Sequence, residues 1–162
     1  MSVPGAAAAR ASAAANGRPS VYPHDAARID AILYRALPEL RPEARAVVES
    51  GGYVSRRCKQ GHPMMRVADG WCVFFNQGCV LHRLGAEEPD PSRDPDPFRY
   101  KPWACAVFPI ARDPKGPWYI RQKGLLGEAW DLPCLDPAAT TVRAAESLRA
   151  EIAMVDRYSR GQ

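Results

Sequence analysis

Five cysteines and three histidines are the residues best suited to chemistry in this chain: Cys58, Cys72, Cys79, Cys105 and Cys134, with His24, His62 and His82. A thiolate is a soft ligand for zinc and for iron–sulfur clusters. It is also the reactive form of cysteine as a nucleophile. The spacing is Cys58-x13-Cys72-x6-Cys79-x25-Cys105-x28-Cys134. No Cys-x2-Cys pair occurs, which excludes the zinc ribbon, zinc finger and bacterial ferredoxin patterns. The last four cysteines nonetheless share a setting. Each falls in or beside a predicted short strand or turn, flanked by Gly, Pro or aromatic residues. Four thiolates on four short rigid segments would make a tetrahedral S4 site, the geometry that suits zinc or an iron–sulfur cluster. The alternative is a set of scattered thiols that behave as small hydrophobes.

The remaining candidates carry weaker signals. His62 lies four positions after Cys58, and His82 three after Cys79. Either fits a metal ligand or a hydrogen-bond partner to a thiolate; a hydrogen bond at the surface or core edge is the simpler reading. His24 reads as a capping or solvent-exposed residue. Cys58 with His62, beside Arg56, Arg57 and Lys59, has the parts of an activated thiol. Against that stands a plain fifth cluster thiol or a free one. Arg56-Arg57-x-Lys59 is the densest basic spot, open to an acidic protein partner or simply solvated. Trp71, Trp103, Trp118 and Trp130 read as wall residues of the core. There is no phosphate-cradling Gly-rich loop, Ser-His-Asp arrangement or paired-carboxylate signal. No catalytic residue is assigned, and whether the protein is an enzyme stays open.

Several elements must position these groups. Residues 1–20 are Ala/Ser/Gly-rich, with two arginines and no acid, and read as a disordered tail rather than a transit peptide. The folded region is predicted to start near Tyr22. Apolar residues at helical spacing after Asp25 predict a helix that Pro38 stops. A second helix is predicted from Pro42 to the glycines at 51 and 52. Met64–Ala68, Asp69-Gly70 and Trp71–Phe75 read as a β-hairpin, because Asp-Gly suits a type I′ turn. Asn76-Gln77-Gly78 is a further turn, which returns the chain through Cys79-Val80-Leu81, so that Cys72 lies in a strand and Cys79 just after a tight turn. Two thiols on either side of such a reversal can converge. Residues 85–98 hold four prolines and five acids and read as a solvated loop. Lys101–Ile110 reads as a short strand or extended segment that carries Cys105 inward, and Trp118–Arg121 as a further strand. A helix is predicted from about Thr140 to Tyr158.

At these same residues a family resemblance appears. Gly70-Trp71-Cys72, then Gly78-Cys79-Val80-Leu81-His82, then Lys101-Pro102-Trp103-Ala104-Cys105-Ala106-Val107-Phe108-Pro109, then Trp130-Asp131-Leu132-Pro133-Cys134 resemble the YkgJ-like cysteine-cluster proteins. That family is described as zinc- or iron-chelating domains. The likeness covers about residues 55–140, and its most specific part is Lys-Pro-x2-Cys-x2-Phe-Pro. It implies Cys72, Cys79, Cys105 and Cys134 as metal ligands. Where the family carries a denser opening group of cysteines, this chain has Cys58 alone. That departure implies one four-thiolate site, with Cys58 as an auxiliary.

Composition bounds the rest. The chain has 162 residues, 46% hydrophobic and 25% charged, which is globular composition. The net charge of +4, without a concentrated basic face, argues against nucleic acid. No apolar stretch reaches membrane-spanning length, and no secretory signal is evident. Together these predict a soluble, cytoplasmic protein in which clustered thiols stay reduced. The expected fold is one small α+β domain over residues 21–162. Two N-terminal helices and one C-terminal helix would pack on a small irregular β core around the cysteine-ligated metal. The expected function is binding of Zn2+ or an iron–sulfur cluster; the alternative is an iron–sulfur redox or protein-modifying enzyme. An unidentified protein partner is compatible with either.

Overall fold

Tyr22 enters the first helix with an extended backbone, and Asp25 accepts its amide hydrogen at 3.1 Å. This N-terminal cap starts α1, Pro23–Asp30, with Pro23 in the first turn where its missing N–H costs nothing. The computed structural model describes residues 18–113, 115–127, 135, 136, 138 and 141–160. The expectations for residues 1–17, Trp130, Cys134 and Thr140 lie outside that set. The chain divides into two compact units, Met1–Trp103 and Ala104–Gln162.

In the first unit the expected single helix after Asp25 is interrupted. Ile32 leaves helical backbone (φ −120°, ψ 7°), and the chain continues as α2, Leu33–Ala36, and a 3-10 turn, Leu37–Glu39. Ile32 is β-branched and a weak helix former. Its side chain is buried in the core, so packing decides its backbone. The expectation at Pro42 holds: α3 runs Pro42–Gly51 and ends at Gly52 with φ +74°. Arg66 Nη1 donates to the carbonyls of Val47 and Gly52, both at 3.0 Å, satisfying groups that the helix end leaves open.

Two hairpins follow. β1, Val54–Lys59, pairs antiparallel with β2, His62–Met65, across a turn at Gln60 (φ 52°) and Gly61 (φ 79°). Ordered backbone begins earlier than expected. The Val21 amide donates to Pro63 O at 2.8 Å, and the Met65 amide to Pro19 O at 2.9 Å. β3, Val67–Ala68, pairs with β4, Trp71–Cys72, across Asp69 (φ 50°) and Gly70 (φ 75°). Positive φ at both central positions is the type I′ geometry that Asp-Gly predicts.

After the turn that Cys79 follows, the chain enters a helix, α4, Val80–Ala86. Val80, Leu81, Leu84 and Gly85 are its buried residues, a spacing that one helical face satisfies and an alternating strand does not. Ile29, Ala36, Val48, Met65, Val73, Phe74, Val80 and Leu81 build the core of this unit.

The short strand or extended segment expected around Cys105 is instead a short helix, α5, Trp103–Ala106, at the boundary between the units. Two alanines in this turn and Pro102 just before it favour helix over strand. In the second unit β5, Ile110–Arg112, pairs antiparallel with β6, Trp118–Ile120. The C-terminal helix is two segments, α6, Ala144–Ser147, and α7, Arg149–Arg160. Trp118 lies edge-on to Tyr158 and donates its Nε1–H to Ser159 Oγ at 3.1 Å.

The fold is thus α+β. Among the described residues the strands form three separate two-stranded antiparallel sheets, and there are more, shorter helices than the three expected. No helix among the described residues is long and apolar enough to cross a membrane.

Candidate metal centre

Cys72 ends β4, and the chain reverses twice before Cys79. The Phe75 amide donates to Cys72 O at 2.9 Å, and the Val80 amide to Phe74 O at 2.8 Å. Between them Gln77 (φ 53°) and Gly78 (φ 135°) turn the backbone, and Phe75 bridges Cys79 antiparallel. Cys79 is the extended residue at the N-cap of α4. Both cysteines are half-buried and pack against the same hydrophobic core. They are not joined in a disulfide.

The electrostatics couple the pair. Burial pushes the Cys72 thiol up to about 12, and charge on Cys79 is the second cause. The backbone N–H of Phe74 and the Arg41 guanidinium pull the other way without winning. A bound cation would offset both upward causes, since it neutralises the sulfur charge that burial and the neighbouring thiolate penalise.

The reversal is tied down from the segment preceding α3. Arg41 Nε donates to Phe75 O at 2.8 Å and Nη2 to Ala68 O at 3.2 Å. Asn76 Nδ2 donates to Glu39 O at 2.8 Å, and Arg83 on α4 pairs with Glu39 at 2.9 Å. Trp71 stacks on Phe75, ring centroids 4.4 Å apart.

A tetrahedral thiolate site needs four ligands. Among the described residues no group of three or more His, Cys, Asp or Glu side chains is arranged to hold a metal ion. Cys105 is on α5, half-buried. Cys134 lies outside the described residues.

Cys58 is in β1 and exposed, its Sγ 3.8 Å from Arg56 O. The register pairs Cys58 with Pro63 and Lys59 with His62. Directly paired residues share a face and successive residues alternate, so Cys58 and His62 project from opposite faces of the hairpin. His62 packs on Tyr22 at 4.4 Å instead. The nucleophile–base pairing weighed for Cys58 and His62 is not made. His82, exposed on α4, sits edge-on to Phe98 at 5.9 Å. Burial, then the Lys101 charge, holds its pKa below the usual histidine value.

Two acids matter that composition does not reveal. Asp25 is fully buried and accepts from the amides of Tyr22 and Trp103, both at 3.1 Å, and from Arg28 Nη2 at 2.6 Å. Its signal was the Tyr-Pro-x-Asp start of α1, a cap written in sequence. Glu88 belongs to the loop expected to be solvated, yet its side chain is only 3% exposed. It accepts from the Tyr100 hydroxyl and faces Arg35 at 3.7 Å and Arg99 at 4.0 Å. The neck of that loop is closed by the Asp96 amide on Gly85 O at 2.9 Å.

No protein-family model matches the chain, and neither a curated protein nor a solved structure matches it.

Proposed function

We propose that this protein binds a metal through cysteine thiolates, as Zn2+ or as an iron–sulfur cluster. Cys72 and Cys79 supply the first two ligands, Cys105 and Cys134 the others, and Cys58 is auxiliary. The observation that carries the reading is the pair itself. Two half-buried thiols bracket one tethered double reversal, and charge on Cys79 opposes charge on Cys72. The resemblance of residues 55–140 to cysteine-cluster chelating domains supports the same ligand set. When bound, zinc would contribute folding free energy, and an iron–sulfur cluster would add electron transfer. The protein's own part is to hold the sulfurs and keep them partly screened from water. Arg41 and Asn76 do the holding, through the carbonyls of Ala68, Phe75 and Glu39.

Zinc titration of the reduced full-length chain tests the ligand set. Single Cys→Ser substitutions at 72, 79, 105 and 134 are expected to weaken binding strongly, and Cys58→Ser to weaken it little. Unchanged affinity in all four variants would overturn the assignment. Far-UV circular dichroism of each metal-free variant separates ligand loss from unfolding.

A further inference from the structure

A second surface forms where the segment before α1 meets the β1–β2 hairpin. Ser20 bridges Met64 antiparallel, and the Val21 amide donates to Pro63 O at 2.8 Å. Two residues further along this register Tyr22 comes opposite His62, and their ring centroids are 4.4 Å apart. Lys59 pairs with His62 from the other side. Lys59, His62 and Tyr22 therefore form one row across three neighbouring segments, on a common face. His24 extends the row. Its ring stacks on Tyr22, with planes 9° and centroids 5.6 Å apart, and its side chain is 63% exposed.

The charge beside this row is uncompensated. Arg56, Arg57 and Lys59 are exposed along β1 and make no ion pair among the described residues. Every other arginine from Arg28 to Arg99 pairs with a carboxylate or donates to a backbone carbonyl. Residues 1–24 and 51–68, the two stretches that meet here, contain no Asp or Glu. The whole-chain charge of +4 does not reveal this strip, because acids elsewhere cancel its sum. Cations that track phosphates, beside an exposed ring on which a base can stack, are the two components of single-strand recognition. An acidic peptide would use the cations and give the rings no role, and a duplex keeps its bases stacked away from them. We propose that this surface binds single-stranded nucleic acid, with phosphates on Arg56, Arg57 and Lys59 and a base stacked on His24.

Fluorescence anisotropy of labelled oligothymidylate or oligouridylate with the full-length chain, in mildly alkaline buffer, tests this. Binding is expected at low salt and should weaken with salt at a log–log slope of about −2, from three phosphate contacts at about −0.7 each. The Arg56→Ala/Arg57→Ala/Lys59→Ala triple variant is expected to lose at least tenfold in affinity and to flatten that slope. His24→Ala should lose about fivefold or more at unchanged slope, the mark of a lost stack rather than a lost charge. All four side chains are exposed, so both variants should keep the fold, which far-UV circular dichroism checks. Competition on the wild-type chain gives a second reading. A duplex or an oligoglutamate peptide that displaces the probe as well as the unlabelled single strand does overturns the proposal. So does the absence of binding at low salt. A triple variant as tight as wild type moves the contact to the arginines of residues 1–20 and overturns it too, and an unchanged His24→Ala variant removes the stack.

Discussion

Arg41 is bonded to Phe75, its Nε–H donating to the Phe75 carbonyl at 2.8 Å, from the residue that caps α3 to the middle of the Cys72–Cys79 reversal. The second arm of the same guanidinium reaches Ala68 O at 3.2 Å, on the preceding hairpin. One side chain thus fixes both segments that carry Cys72.

Removing that clasp has a measurable cost. Arg41→Met leaves two carbonyls without their charged donor. The expected loss is about 2 kcal/mol in urea unfolding, the range for hydrogen bonds to charged groups. Arg41→Lys restores charge but not the two-armed geometry, so it should recover only part.

Asp25 is a stricter case, because its carboxylate is fully buried and serves three donors. Asp25→Asn keeps the shape but removes the charge that faces Arg28 and presents an amide to backbone N–H groups. Stability should fall by roughly 2–3 kcal/mol, read as a lower urea midpoint at unchanged slope.

Gly85 tests the neck of the proline-rich loop. A Cβ there would lie 2.3 Å from the Asp96 carbonyl oxygen, a backbone atom with no rotamer to yield. Gly85→Ala should cost about 1–3 kcal/mol, the overpacking range. Opening of the loop should show as faster amide exchange at Asp96.

Glu88 predicts the shape of the acid limb. The Tyr100 hydroxyl bond is the first cause that holds its carboxyl below the usual value; burial opposes, and the Asp90 amide, Arg35 and Arg93 add to the lowering. A depressed folded pKa means the unfolded chain binds more protons in acid. The stabilisation is therefore complete above the ordinary glutamate pKa of about 4.3 and disappears as pH falls through the lower folded value. Glu88→Gln should be less stable at neutral pH and lose less on acidification. An identical acid dependence in both proteins would contradict the network.

Part of this was readable in the residues themselves. Asp69-Gly70 demanded a type I′ turn and makes one, and Pro42 starts its helix at the expected position. The reversal that puts Cys79 back beside Phe75 was legible from Asn76-Gln77-Gly78. Elements whose pattern is short or ambiguous were not. Val80-Leu81 is apolar in a way that suits strand or helix, and only Leu84 and Gly85 on the same face decide it. β1 was missed because Ser55, Arg56, Arg57 and Lys59 give no apolar alternation; it is held by pairing with β2 rather than by a buried face. Glu88 was hidden among acids and prolines, since its burial depends on Arg35 and Tyr100 far along the chain.

The metal content of the full-length protein, purified without oxygen or chelator, tests the central claim most directly. Elemental analysis should find zinc or iron bound at a fixed ratio to the chain, with iron showing as a brown colour, and the Cys72→Ser/Cys79→Ser double variant should retain none. A folded wild-type chain that carries no metal and takes up neither zinc nor iron when reduced would contradict the account.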